Sequence, residues 1–355
     1  MKQFLSLIIL YYSFNQAWAV ELKPYIEFES FSHSEPIAIN AIMNGWDAPF
    51  QNGEVALSVN RAEVGIGVNN WQVSVLQRQD YLFEFDVSTA RLFYDTNNKN
   101  DLFAGDEYSL NLSSKSFIAR GLKLGYQHTV SDINIGISVS YLEGLELTDG
   151  NIMGRAMAVS ETDYDFNFDV DYFYTNDGLF HREVDEKPIG YGYGIDLSMN
   201  GYLLPGWFAS LQVNDLFAQI NWLDAPRTVA IGSSSNKEYD SDGYAVFRPV
   251  ASGIESNEDY SQTIPTKVFL KSVYQLSERH LLLAEYSDYS VKSFIAAGYR
   301  FSMESQSIDF LYNLSAEAWN ARYQTQWFSL DILADQLPAD KARTLGLTLA
   351  LNVSF

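Results

Sequence analysis

The chain has 355 residues, 45 of them acidic and 23 basic, a net charge of −22, and no cysteine. Thiol catalysis and zinc–thiolate sites are therefore excluded, and the acidic balance argues against a phosphate-neutralising nucleic-acid face. Mean hydropathy is −0.13 although aromatic residues make up 15% of the chain, a combination that suits a membrane barrel, where half of each strand faces water and aromatics gather at the interfaces.

At the N-terminus, Lys2 is followed by an apolar stretch, Phe4 to Tyr12, and then by Ala17-Trp18-Ala19. Positive charge, short apolar core and an A-x-A site in that order predict a secretory signal cleaved after Ala19, so residues 1–19 are set apart from the fold. No later run is apolar and long enough to read as a transmembrane helix. Residues 20–52 hold one predicted strand, Tyr25 to Phe31, and an irregular stretch with Pro36, Gly45 and Pro49, expected to be a plug or a periplasmic segment. Residues 53–355 are expected to form one barrel.

Strand-like runs follow at 54–60, 63–69, 70–78, 81–87 and 105–113, with a short helix expected over Ser88 to Asp95, capped by Ser88. In 133–141, Ile133, Ile135, Ile137, Val139 and Tyr141 alternate with Asn134, Gly136, Ser138 and Ser140. In Ile189 to Asn200, an apolar face from Ile189 to Met199 alternates with Gly190, Gly192, Gly194, Asp196, Ser198 and Asn200. Ile308, Phe310, Tyr312 and Leu314 alternate with Asp309 and Asn313. A period of two places one face in lipid and the other toward water. The fold class predicted is all-β: a transmembrane antiparallel up-and-down barrel of about 16 strands, with 14 to 18 admissible. Short breaks at Ser131-Asp132, near Glu161, at Asn200 to Gly206, Ser277 to Arg279, Met303 to Gln306 and Gln324 to Gln326 are expected at the periplasmic end, and the longer polar connections 175–187 and 224–263 outside.

The last strand, Thr344 to Phe355, puts Leu345, Leu347, Leu349, Leu351, Val353 and Phe355 on one face and small polar residues on the other. Thr344, Gly346, Leu349 and Leu351, with the terminal aromatic Phe355, resemble the assembly signal of Gram-negative outer-membrane proteins. That resemblance implies an outer-membrane location among lipid and lipopolysaccharide, and recognition by the barrel-assembly machinery. Val213-Asn214-Asp215-Leu216 followed by Ile220-Asn221-Trp222 is similar to strand patterns of fatty-acid-transporter-like and other large barrels, a likeness that implies no substrate.

The segment Asp163 to Tyr174 divides into an acidic face, Asp163, Asp165, Asn167, Asp169 and Asp171, and an aromatic face, Tyr164, Phe166, Phe168, Val170, Tyr172 and Tyr174. Carboxylates two residues apart repel unless screened. They are expected to line the pore, opposed by Lys267, Lys271, Arg300 and Arg322 on other polar strand faces, or to stand above the membrane as a solvated face. Asp240-Ser241-Asp242-Gly243 lacks the ligand set and closing Glu of a calcium loop, although an acidic surface loop can hold divalent cations shared with lipopolysaccharide phosphates. His181, near Asp177, Glu183 and Asp185, is the one candidate for rim hydrolysis, and no nucleophile motif accompanies it. No catalytic residue, metal site or cofactor is assigned, and no nucleic acid is expected. The reading is a channel or transporter for small solutes with an acidic lumen; the alternatives are a structural or assembly component of an envelope or export system, and a rim hydrolase.

Overall fold

A computed structural model of the protein describes residues 22–352, apart from 162, 185, 235–236, 240–244 and 248–250. Ala17, Ala19, Phe355 and the Asp240–Gly243 motif lie outside the described residues.

The first strand, β1 (Leu22–Ser34), is longer than the Tyr25 to Phe31 run expected. After it come a short helix, α1 (Ile39–Met43), and the hairpin β2 (Val55–Val68) and β3 (Trp71–Phe85). Each of these two strands was expected as two shorter ones. Asn60 and Asp80 resemble breaks, but neither stands in a cluster with Gly or Pro, and the β2–β3 ladder runs unbroken from Val55↔Glu84 to Val68↔Trp71. Helix α2 (Val87–Asn98) starts one residue before the expected helix because Asp86, and not Ser88, accepts the Thr89 amide at 2.7 Å.

Then follow β4 (Glu107–Val130), β5 (Ile133–Ala158), β6 (Tyr164–Tyr174), β7 (Ile189–Leu204), β8 (Trp207–Asn214), β9 (Gln219–Ser233) and the small hairpin β10 (Lys237–Tyr239) and β11 (Ala245–Phe247). The C-terminal part is β12 (Ala251–Thr263), β13 (Lys267–Gln275), β14 (His280–Asp288), β15 (Ser293–Ser302), β16 (Gln306–Asn313), β17 (Ala318–Thr325), β18 (Phe328–Ala334) and β19 (Thr344–Asn352).

All strands except β10 and β11 join one 17-stranded antiparallel sheet, within the expected range, which closes where β1 pairs with β19 from Tyr25↔Asn352 to His33↔Thr344. The wall runs from β1 through β5 to β7 and β8, then to β13 and on through β19. Closure leaves no edge in the apolar layer, the condition for crossing a membrane with strands. The connections at 69–70, 131–132, 205–206, 276–279, 303–305 and 326–327 sit at the end that holds Asn352, here the lower end. The break near Glu161 does not: it joins the upper ends of β5 and β6. At 24 and 26 residues, β4 and β5 are more than twice the ~9–11 residues that cross a bilayer, so their upper halves, and the β5–β6 hairpin, stand above it.

The outward faces are the apolar ones. Ile135, Ile137, Val139 and Tyr141 on β5, Leu122 and Leu124 on β4, and Leu347 and Leu351 on β19 are all exposed. This band ends below in Trp71, Tyr126, His128, Tyr202 and Trp207, and above in Tyr141, Tyr191, Tyr193 and Trp319, the two aromatic girdles of a membrane barrel. His128 stacks on Tyr126 in the lower girdle.

Above the wall, β6, β9 and β12 continue the sheet. The far half of β5 pairs with β6, β6 with β9, and β9 with β12 along its length. Between β8 and β9 the chain kinks at Asp215 (φ 60°), and the partner of β7 changes from β8 to β9. The inner face of this extension packs with β3, β4 and β5 in a buried apolar core of Leu76, Phe117, Leu142, Leu147, Ile220, Trp222 and Ile264. The Trp222 ring lies flat on Gly144 and Gly190, where an added Cβ would approach ring carbons to 2.4 and 2.7 Å, so only glycine fits at either position. Its Nε1 donates to Gln262 Oε1 (3.2 Å), and Gln262 Nε2 donates to the Ser116 carbonyl (3.1 Å), tying β12 across to β4.

Candidate functional site in the barrel lumen

Inside the wall, inward positions that alternation leaves polar are filled by charge, and register turns the charges into pairs. On the β1–β3 side, Glu63 receives Arg61 (2.7 Å), Tyr25 OH (2.7 Å), Ser74 Oγ (2.7 Å) and Lys123 (3.4 Å). Lys123 also lies 3.6 Å from Asp196. One step higher, Arg78 grips both oxygens of Asp215 (2.7 and 2.8 Å) and also donates to Asp80 (3.0 Å). Lys267 donates to Asp80 (2.6 Å) and Asp215 (3.3 Å). All four of these side chains are buried, and the Trp222 core lies directly above them, so this half of the lumen is sealed.

The other half carries a second network. Arg300 makes a two-nitrogen contact with Asp309 (2.6 and 2.6 Å). Arg322 reaches Glu285 (2.8 Å), Asp331 (2.7 Å) and Asp309 (3.4 Å), and Lys271 pairs with Glu285 at 3.1 Å. Charge-assisted bonds of this kind hold neighbouring strands in register as well as satisfying buried charge.

Above this network is a cavity of about 300 Å³. Its polar lining includes Glu29, Lys271, Glu285, Asn320, Arg322 and Asp331, and its apolar lining includes Phe31, Phe269, Tyr289, Phe294, Leu311 and Leu333. Phe31 stacks on Tyr289 (ring centroids 4.7 Å) and meets Phe294 edge-on (5.1 Å). At Gly346 an added Cβ would press on Leu333 Cβ at 3.1 Å and meet the Phe31 ring at an ordinary 3.7 Å. Above the aromatic layer, a polar cavity of about 580 Å³ between His33, Glu35, Asn52, Glu317, Asp335 and Arg343 opens toward the upper end. Residues 37–48 fold over that end, with Ile37, Ala38 and Ala41 packed against Trp46, Ala48 and Tyr94.

Lys267, Lys271, Arg300 and Arg322 lie on inward faces of the wall, and their partners are not the acidic ladder. Their counter-charges are Asp80, Asp215, Glu285, Asp309 and Asp331, of which the alternation around Ile308 had marked only Asp309. The ladder itself stands above the wall on β6. Asp171 accepts from Arg227 Nε and Nη2 (2.8 and 2.8 Å), Asp165 accepts from Ser234 Oγ (3.0 Å), and Asn167 and Asp169 are exposed. Asp163 lies just before β6. The ladder shares its face with Phe173, which packs against the Trp222 core, so it continues the lumen side of the sheet beyond the seal. The opposite, aromatic face is core-facing: Val170, Tyr172 and Tyr174 pack with Phe180 and Val184, and Phe166 with Leu92 and Ala156. An apolar cavity of about 230 Å³ remains between α2 and this face.

Thr344, Gly346, Leu349 and Leu351 lie on the closing strand β19, the first with its hydroxyl 2.9 Å from His33 Nδ1. At His181 (φ 54°) the candidate pairing with Asp177 does not form, and Asp185 lies outside the described residues. The Asp177 carboxylate accepts from Tyr172 (2.6 Å), the Phe180 amide (2.8 Å) and Arg182, and among the described residues His181 hydrogen-bonds only the Asp177 carbonyl, through its amide. Burial raises the pKa of Asp177, but these three bonds together hold it below the usual carboxylate range.

No protein-family profile and no curated protein matches the chain. Among solved structures it is similar to the Pseudomonas putida toluene transporter TodX (11% identity, 94% of this chain and 88% of the other, TM-score 0.38) and to the CymD monoaromatic hydrocarbon channel (8%, 94% and 87%, TM-score 0.42). It is also similar to the translocator domain of the autotransporter NalP from Neisseria meningitidis (9%, 100% and 95%, TM-score 0.29). At these identities the likeness is one of barrels as a class.

Proposed function

We propose that this protein is an outer-membrane channel or transporter for small solutes, at rest in a closed state. The observation that carries the reading is the cavity of about 300 Å³ inside a closed wall, with a charged floor and an aromatic roof. A scaffold needs no such space, whereas a solute path through a membrane does. Closure fits the same reading: the Arg78–Asp215 side is sealed, and the Phe31–Tyr289–Phe294 layer separates the cavity from the polar space above it. In this reading the upper end faces outward, and β19 is the strand presented to the assembly machinery. The exposed acids of β6 are available to divalent cations shared with lipopolysaccharide.

An acid excess in the lumen rests on β1 alone, where Glu27 and Glu29 add to otherwise paired charges. Planar-bilayer recording of the purified barrel tests the proposal. Discrete conductance steps are expected, and a silent, correctly folded barrel in every salt would remove it. The tall extension favours a surface scaffold as the second reading, for which crosslinking in cells should return a specific envelope partner.

A further inference from the structure

The lumen cavity has one end that is aromatic and one that is charged, and the charged end does not balance. Its lining carries three carboxylates, Glu29, Glu285 and Asp331, against two cations, Lys271 and Arg322. Both cations face carboxylates: Lys271 faces Glu285, and Arg322 faces Glu285 and Asp331. Glu29 is different. Arg61, opposite it on β2, turns its guanidinium to Glu63, and among the described residues no hydrogen bond to the Glu29 carboxylate is formed.

A second acceptor lies in the same lining. The Asn320 amide nitrogen donates to Asp331. A carboxylate can only accept, so this contact fixes the orientation of the amide and leaves Asn320 Oδ1 as the free atom. Asn320 is 8% exposed and its Oδ1 has no partner, a costly state for a buried acceptor. Two acceptors without a hydrogen-bond donor thus share a cavity roofed by Phe31, Phe269, Tyr289 and Phe294, and one of them is a carboxylate on which Arg61 and Lys267 act only through space.

Resting on the channel reading above, we propose that this cavity binds a small amphipathic amine: a monocation with one ammonium group and a compact aromatic or aliphatic body. The ammonium would donate to Glu29 and to Asn320 Oδ1, and the body would lie among the four rings, which attract both apolar surface and positive charge. About 300 Å³ is at the small end of the ~300–1,000 Å³ range of ligand pockets, which limits the guest to roughly one ring and a short arm. A carboxylate of the same shape would meet Glu29 with like charge, and a neutral hydrocarbon would leave both acceptors unfilled.

The test is calorimetric titration of the purified full-length barrel in detergent with phenethylammonium, and with 3-phenylpropanoate and ethylbenzene as shape-matched controls. Phenethylammonium is expected to bind one to one, and at least about tenfold more tightly than either control, the least that a hydrogen bond to a charged group supplies. Glu29→Gln should weaken it about tenfold or more, Glu29→Asp should restore part of the loss, and Asn320→Leu should weaken it less. Folding of each variant is checked by heat-modifiable migration on a gel. Equal binding of the three probes, absence of phenethylammonium binding by a folded barrel, or indifference to Glu29→Gln would each overturn the assignment. Conductance is recorded separately without any amine. A conducting barrel that ignores phenethylammonium sinks the ligand alone, whereas a silent barrel that binds it sinks the channel and keeps the site.

Discussion

Arg78 on β3 and Asp215 at the β8–β9 kink are 137 positions apart in the chain and meet in a two-nitrogen ion pair inside the barrel, at 2.7 and 2.8 Å. The pair anchors the place where β7 changes partner from β8 to β9. The backbone of Asp215 is held there too, by Asp196 Oδ1 at 3.0 Å, and the Leu216 amide by the Ile195 carbonyl at 2.9 Å.

Removing one member of this group should therefore cost more than removing both. Asp215→Ala leaves Arg78 and Lys267 buried with only Asp80 between them, and is expected to lower stability by about 3–5 kcal/mol. The double replacement Arg78→Met with Asp215→Leu should cost less. Urea unfolding of the barrel in lipid vesicles measures both, and a single variant milder than the double one would contradict the account.

Trp222 needs the two glycines beneath it. Gly144→Val or Gly190→Val is expected to overpack the extension and cost about 1–3 kcal/mol. The indole would be pushed toward water, which a red shift of tryptophan emission would report. Trp222 also loses its bond to Gln262 in that case, so the β12 segment should become more open to protease.

The segment 175–187 is tied to the extension through Asp177. Its folded pKa is depressed, so this carboxylate contributes stability that is present above the unfolded value of ~4 and is lost as pH falls through the lower folded value. Protease resistance of the segment should accordingly persist at neutral pH and decline only in strong acid. Asp177→Asn should make it susceptible at neutral pH and flatten the pH dependence.

Phe31 forms the roof of the lumen cavity with Tyr289 and Phe294. If the roof is what closes the path, Phe31→Ala should raise conductance in planar bilayers while lowering stability by about 3–5 kcal/mol, as large aromatic truncations in cores do. Unchanged conductance in a folded variant would place the closing element elsewhere.

The barrel class was legible because alternation is a local property: each residue's face follows from its neighbours two positions away, and the segment 133–141 or β19 can be read without knowing any partner. The same rule assigned Lys267, Lys271, Arg300 and Arg322 to polar strand faces. Strand ends were less legible, because β2 and β3 each contain polar residues at mid-length that serve the lumen and look like breaks. The height of β6 was not legible at all. Its parity is that of a wall strand, and only the length of β4 and β5 lifts it above the ring.

What the sequence by itself determined, then, is which side of the sheet each residue occupies and that the sheet is of a kind that closes. What only the tertiary structure decided is who faces whom across the lumen: Arg78 with Asp215, Arg322 with Glu285, and Glu29 with no hydrogen-bonding partner among the described residues. The reason is physical. Alternation is set by backbone geometry within one strand, whereas a pair across the lumen depends on the register of every strand between its members, and on the closure of β1 against β19.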